Sequence, residues 1–169
     1  MSEVIKFNKV RYDIFKQFRF RGHLYTDEEE EYVASCYKNI TLPRRATEGS
    51  AGYDIYLPFD IDAKAGETII IPTGISAEMW EHIVLMLYPR SSLGFKYGMR
   101  FNNTTPVIDS DFINSDTEGH IILSVKFDKD VELHAGDRIA QGIFVNYYVT
   151  CDDEPVSHNR TGGIGSTGK

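Results

Sequence analysis

The sequence predicts an all-β fold, a distorted jelly-roll β-barrel. Three observations lead there. From Tyr53 onward, short runs rich in β-branched and aromatic residues follow one another. Turn signals separate them, at Ala65-Gly66, Thr73-Gly74 and His134-Ala-Gly-Asp137. Their regular spacing within 169 residues suits a single sandwich or barrel of the jelly-roll type.

Residues 1–38 read differently from the rest. Thr26-Asp-Glu-Glu29 is a capping-box pattern, and the acidic residues up to Glu31 suit a helix N-terminus. This predicts a short helix to about Lys38, preceded by aromatic-rich segments around Ile14-Phe15, Phe18 and Phe20. The acidic run reads as a helix start and a solvated face. Strands are predicted over Glu67–Pro72, Ile83–Tyr88, Ile121–Phe127 and Ile139–Tyr148. The chain therefore divides into an N-terminal extension (1–38), a β domain (39–156) and a flexible glycine-rich C-terminal strap (157–169).

Lys and Arg number 18 against 25 Asp and Glu, a formal charge of −7. That balance argues against a general affinity for polymeric nucleic acid, which takes a basic face. A small anionic ligand stays possible, because a few local arginines and a metal reverse the field inside a cleft. Cys36 and Cys151 have no metal-ligand spacing, so neither a disulfide framework nor a structural zinc site is expected. No apolar run marks a signal peptide or a membrane span, so the expectation is a cytoplasmic or otherwise intracellular protein with no membrane partner. His23, His82, His120, His134 and His158 show no ligand spacing either, and each is expected at the surface or in a turn.

Three segments place polar residues and glycine inside otherwise apolar strand patterns: Ala51-Gly-Tyr-Asp54, Pro89-Arg-Ser-Ser-Leu-Gly94 and Val107-Ile-Asp-Ser-Asp-Phe112. In a strand, Asp109 and Asp111 would share a face, where paired carboxylates call for a cation or a proton-transfer task. The other reading is a turn whose aspartates cap backbone N–H groups. At the C-terminus, Gly163, Gly168 and Lys169 begin a phosphate-loop pattern, but the Ser/Thr that should follow is missing, which excludes a Walker loop. A strap able to close over an anion remains, beside the alternative of a solvated tail.

Taken together and in this order, the segments resemble the five motifs of the trimeric dUTPase family. Ala51–Ile55 is similar to the first motif, Pro89–Gly94 to the second, Asn103–Phe112 to the third and Gly136–Gln141 to the fourth, with the strap as the fifth. The resemblance covers about residues 40–169. It implies hydrolysis of dUTP to dUMP and pyrophosphate, which keeps uracil out of DNA and supplies dUMP for dTMP synthesis. It implies that Asp109 activates the attacking water, that Asn103 and the main chain near Val107 read uracil, and that Phe112 packs under the deoxyribose. Arg90, Ser91, Ser92 and Gln141 would hold the triphosphate. In the strap, Arg160, Ser166 and Thr167 would grip the terminal phosphates, with Ile164 and Gly165 lying over the base. Mg2+ would be held mainly by the phosphates, with Asp54 reaching it through water, and the family pattern implies a homotrimer with intersubunit sites. Asp137 and Arg138 read as structural, in an ion pair within the trimer.

The sequence departs from the family at Ile164 and Phe112, where an aromatic and a Tyr are usual, and at Pro106, where Gly is usual. Residues 1–38 have no counterpart in the minimal family. Two other functions were weighed: a nucleotide-responsive regulatory trimer with weak hydrolysis, and a dCTP deaminase. The deaminase needs a catalytic glutamate where this chain has Ser124.

Overall fold

The computed structural model describes residues 4–19 and 26–155. The chain runs through β1 (Lys6–Lys9), α1 (Tyr12–Arg19), α2 (Asp27–Lys38), β2 (Arg44–Arg45), β3 (Tyr53–Tyr56), β4 (Ile61–Ala63), β5 (Thr68–Pro72) and β6 (Ile75–Glu78). It continues through β7 (Ile83–Pro89), α3 (Ser91–Tyr97), β8 (Arg100–Phe101), β9 (Val107–Ile108), a 3-10 turn (Ser110–Asn114), β10 (Ile122–Lys126), β11 (Val131–Leu133) and β12 (Arg138–Asn146).

All pairings are antiparallel. The largest sheet has the order β2-β3-β12-β7-β9; β5-β10-β8, β4-β11 and β1-β6 form the others. Alternation explains the strands. β7 buries Ile83, Leu85 and Leu87, and β10 buries Leu123 and Val125, with the intervening residues less covered. These side chains join Ile55, Ile71 and Ile139 in one core of the jelly-roll type.

The helix over Asp27–Lys38 starts where its capping box predicts. Glu29 N–H donates to Thr26 Oγ1 at 3.2 Å, and Thr26 N–H donates to Glu29 Oε2 at 2.9 Å. Of the aromatic segments before it, Ile14, Phe15 and Phe18 lie in α1 and Phe20 lies outside the described residues, while β1 precedes them. β1 pairs with β6, and Phe7 packs against Tyr53 and Phe144 at 5.5 and 5.4 Å between ring centroids. Val10, Ile14 and Phe15 are buried in the same core as the sheets, and Tyr37 Oη donates to Val10 O at 2.8 Å.

Of the two readings for Val107–Phe112, the turn is the one observed: β9 ends at Ile108, because Phe112 N–H bonds to Asp109 O at 3.1 Å and Ser115 N–H to Phe112 O at 3.0 Å. Short Asp and Ser side chains favour such turns. With about three residues per turn, Asp109 and Asp111 point in different directions rather than to one face. One expectation is corrected: His120 is not at the surface. It is 1% exposed and its Nε2 accepts the Gly74 N–H at 2.9 Å, which gives this polar ring a buried role. His82 and His134 are exposed, as expected, while His23 and His158 lie outside the described residues. Cys36 is buried, Cys151 is exposed, and both thiols are free. No helix among the described residues is long and apolar enough to cross a membrane.

Candidate active site

Asp54 anchors one end of the large sheet. Its register partner on β12 is Gln141, whose partner on β7 is Tyr88. The carboxylate is almost fully buried, and burial of a charge is tolerated only with partners. Two guanidiniums supply them: Arg90 Nη1 donates to Oδ1, and Arg138 Nη1 donates to Oδ2 at 3.2 Å. Arg90 stands where β7 turns into α3, its carbonyl accepting from Leu93 and Gly94 N–H at 3.0 Å each. Ser91 and Ser92 are exposed in the first turn of that helix. Gln141 Nε2 reaches Pro89 O at 3.5 Å, a weak tie between β12 and this corner.

Arg138 therefore does form an ion pair, and its partner is Asp54 of the same chain. Asp137 instead accepts from His134 N–H at 2.8 Å in the turn before β12. Sequence reasoning did not place Arg138 beside Asp54. The two lie 84 positions apart, and only the β3–β12 register brings them together. Arg44, opposite Asp54 on β2, is a further exposed cation at this corner that went unassigned.

Asn103, Val107, Asp109 and Phe112 form a second group. Asn103 is exposed in the turn closed by Thr104 N–H to Phe101 O at 3.2 Å. Val107 is half-exposed on β9. Pro106 costs the ladder nothing, since the bond at that level runs from Leu87 N–H to the Pro106 carbonyl at 3.0 Å. Asp109 is exposed at the head of the 3-10 turn, and Phe112 within it is 6% exposed.

The two groups do not meet within one chain. Asp54 lies three strands from β9 in the order β3-β12-β7-β9. Along β7, its level (Tyr88) is three residues from that of Ile108 (Leu85). At about 4.8 Å per strand and ~3.3 Å per residue, their backbones are roughly 17 Å apart. Arg160, Ile164, Gly165, Ser166 and Thr167 lie outside the described residues.

For a divalent cation, the donor set is sparse. No group of three or more His, Cys, Asp or Glu able to hold a metal occurs among the described residues. The chemistry still fits a magnesium brought by a triphosphate, which takes phosphate and water oxygens and needs little more than one carboxylate nearby. Asp54 is that carboxylate, with its two oxygens already engaged by guanidiniums, so contact through water suits it best.

The sequence model of the dUTPase family matches residues 38–168. The chain is 42% identical over 142 residues to the deoxyuridine 5'-triphosphate nucleotidohydrolase of Lactococcus lactis, covering 80% of this chain and 95% of that protein. It is 37% identical to the Haemophilus ducreyi protein of the same name, covering 78% and 90%. Among solved structures it is similar to a dUTPase from Streptococcus mutans, with a TM-score of 0.63, 34% identity, and coverage of 86% of this chain and 98% of that one. A dUTPase from phage phi11 of S. aureus gives a TM-score of 0.57 at 18% identity, covering 71% and 92%, a likeness of fold alone.

Proposed function

This chain belongs to the dUTPase family, and on that premise we propose that it hydrolyses dUTP to dUMP and pyrophosphate at sites shared between copies of the chain. Water attacks the α-phosphorus, the bond to the α,β-bridging oxygen breaks, and pyrophosphate leaves. Asp109 takes the proton of the attacking water, a task that requires it within about 3 Å of that water. Asn103 offers a donor and an acceptor to uracil, and cytosine would leave that amide mismatched. Phe112 lies against the deoxyribose and excludes a 2'-hydroxyl. Arg90, Ser91, Ser92 and Gln141 align the triphosphate and stabilise charge on the leaving group. Magnesium, when bound, neutralises phosphate charge, with Asp54 reaching it through water. The strap residues Arg160, Ser166 and Thr167 grip the outer phosphates, while Ile164 and Gly165 lie over the base.

The observation that carries this reading is the buried Asp54 between Arg90 and Arg138, a preformed cationic corner in a chain of net charge −7. The sharing between copies is supported by the separation of roughly 17 Å, estimated from strand spacings, between that corner and the Asp109 group. A second copy that supplies one of them would bring both to the α-phosphate end of one substrate, and a closed homotrimer is the arrangement proposed here.

The test is pyrophosphate release from dUTP, dCTP, UTP and dTTP with magnesium, and turnover is expected with dUTP only. Comparable turnover of UTP would refute the role of Phe112, and no turnover at all would refute the function. Asp109→Asn is expected to lower kcat by about 10²–10⁴-fold with nucleotide binding retained.

A further inference from the structure

The described residues 4–19 and 26–37 precede the segment that matches the family, and Arg11 among them is bonded to the loop that follows Asp109. The connection runs through Glu118, Gly119 and His120. Arg11 N–H donates to Glu118 Oε2 at 2.9 Å, and Arg11 Nε lies 3.0 Å from Glu118 Oε1. Gly74, at φ +73, bridges the two sides: its N–H donates to His120 Nε2 at 2.9 Å and its carbonyl accepts from Val10 N–H at 3.1 Å. Phe15 and Phe18 flank the His120 ring at 6.2 and 5.1 Å. The other ring nitrogen, Nδ1, is buried without a hydrogen-bond partner among the described residues. An aliphatic side chain would fill the space without that cost, so the bond to Gly74 is what distinguishes histidine here.

The loop carries this restraint on to the candidate base. Gly119, at φ +68, lies so close that a Cβ there would sit 3.0 Å from Ile113 Cα and 3.2 Å from Phe112 O. Glu118 N–H donates to Ser115 O at 2.8 Å, Ser115 N–H to Phe112 O at 3.0 Å and Phe112 N–H to Asp109 O at 3.1 Å. Three backbone hydrogen bonds thus separate Asp109 from a residue whose side chain is held by Arg11.

We propose that the N-terminal extension is a positioning element of the active site. Glu118 and His120 are its contact residues, and through them it holds the 3-10 turn that carries Asp109 and Phe112. The inference rests on the reading of Asp109 as the base. A displacement of about 1 Å at a reacting group can cost on the order of 10²-fold in rate, so a loosened turn shows first in kcat. Val107 is held in the β7–β9 ladder and Asn103 in the separate turn closed by Thr104 N–H to Phe101 O, so substrate affinity is expected to change less.

The experiment measures dUTP and UTP hydrolysis by the full chain, with urea unfolding alongside, for Glu118→Ala, Glu118→Gln and Phe15→Leu. Lys6→Ala serves as a control, since Lys6 pairs with Glu78 away from this path. Glu118→Ala is expected to lower kcat about tenfold or more, with KM within about threefold and the preference for dUTP over UTP reduced. Glu118→Gln keeps an oxygen for Arg11 N–H and should stay within about twofold of the parent, because the neutral bond survives. Phe15→Leu should lower kcat severalfold, and Lys6→Ala should leave it unchanged. Parental kcat and selectivity in both Glu118→Ala and Phe15→Leu would overturn the proposal, as would losses that merely follow the unfolded fraction. A parent chain that does not hydrolyse dUTP is a distinct result, which overturns the functional reading and this inference with it.

Discussion

Mixing two inactive variants tests the sharing of sites most directly. Asp109→Asn removes the proposed base, and Arg90→Ala removes one guanidinium from the Asp54 corner. Each pure variant is expected to lose roughly 10²-fold or more in kcat. The corner and the base lie roughly 17 Å apart in one chain by the strand-spacing argument, beyond any single water. If each site takes Asp109 from one copy and Arg90 from a neighbour, random 1:1 assembly leaves both residues intact in ½ × ½ of the sites, about a quarter. If one copy supplied both, no mixed site would be intact. The variants are unfolded together in urea and refolded, and pyrophosphate release per chain is compared with the parent treated in the same way. Recovery to about a quarter of parental activity is expected for a closed ring. Activity no higher than the average of the two pure variants, in assemblies shown by mass to be mixed, would refute the shared site.

Three further outcomes follow from individual contacts. Asp54→Asn leaves two guanidiniums facing a neutral amide; discounting the about 3–5 kcal/mol of a broken buried pair for the partial exposure of both arginines leaves about 2 kcal/mol. The melting temperature should fall by about 4–8 °C, and pyrophosphate should raise it more in the variant than in the parent, read by thermal melting. Burial lowers the His120 pKa from 6.5 to about 4, so the unfolded chain binds more protons between those values. Stability contributed by neutral His120 is therefore complete above about pH 6.5 and lost as pH falls toward 4, by about 3 kcal/mol, and His120→Gln should flatten that part of a urea-unfolding series. Gly74→Ala places a Cβ 2.2 Å from Ile40 Cδ1 at φ +73; a loss of about 2 kcal/mol or more is expected in the same unfolding assay.

How much was legible in the sequence depends on the range of the forces involved. The capping box at Thr26 and the apolar run Ile83–Tyr88 are local signals, and both appear in the structure as a capped helix and a strand. The segments bearing Asp54 and Arg90 are legible as polar interruptions of apolar strands, Gln141 only through the family resemblance, and the β3–β12 register brings Asp54 and Gln141 into line. Arg138 was read as structural without its partner, because 84 residues separate it from Asp54 and no periodicity spans that distance. Sequence alone leaves strand and turn open after Ile108, and the i→i+3 bonding by Asp109, Phe112 and Ser115 decides for the turn. His120 was misplaced. Its burial comes from Phe15 and Gly74, one in the extension and one in a distant turn, and neither neighbour is visible from its own flanks.

A chain of net charge −7 cannot attract a polyanion through its overall field, so attraction must be built locally. Two unpaired guanidiniums at one sheet corner would destabilise the empty fold by repulsion. Asp54 resolves that conflict by occupying the anionic position before substrate arrives, holding Arg90 and Arg138 at set positions while offsetting their charge. In the proposed reaction phosphate oxygens would compete with a resident carboxylate rather than with bulk water, and the binding free energy would be a difference between two sets of charge-assisted hydrogen bonds. Such a site gives up affinity to gain alignment, which suits a substrate that must be oriented for in-line attack and whose product must leave. It also explains why Asp54 is buried while Asp109 is exposed. The one carboxylate is held between two guanidiniums, whereas the other, in the proposed role, would meet water.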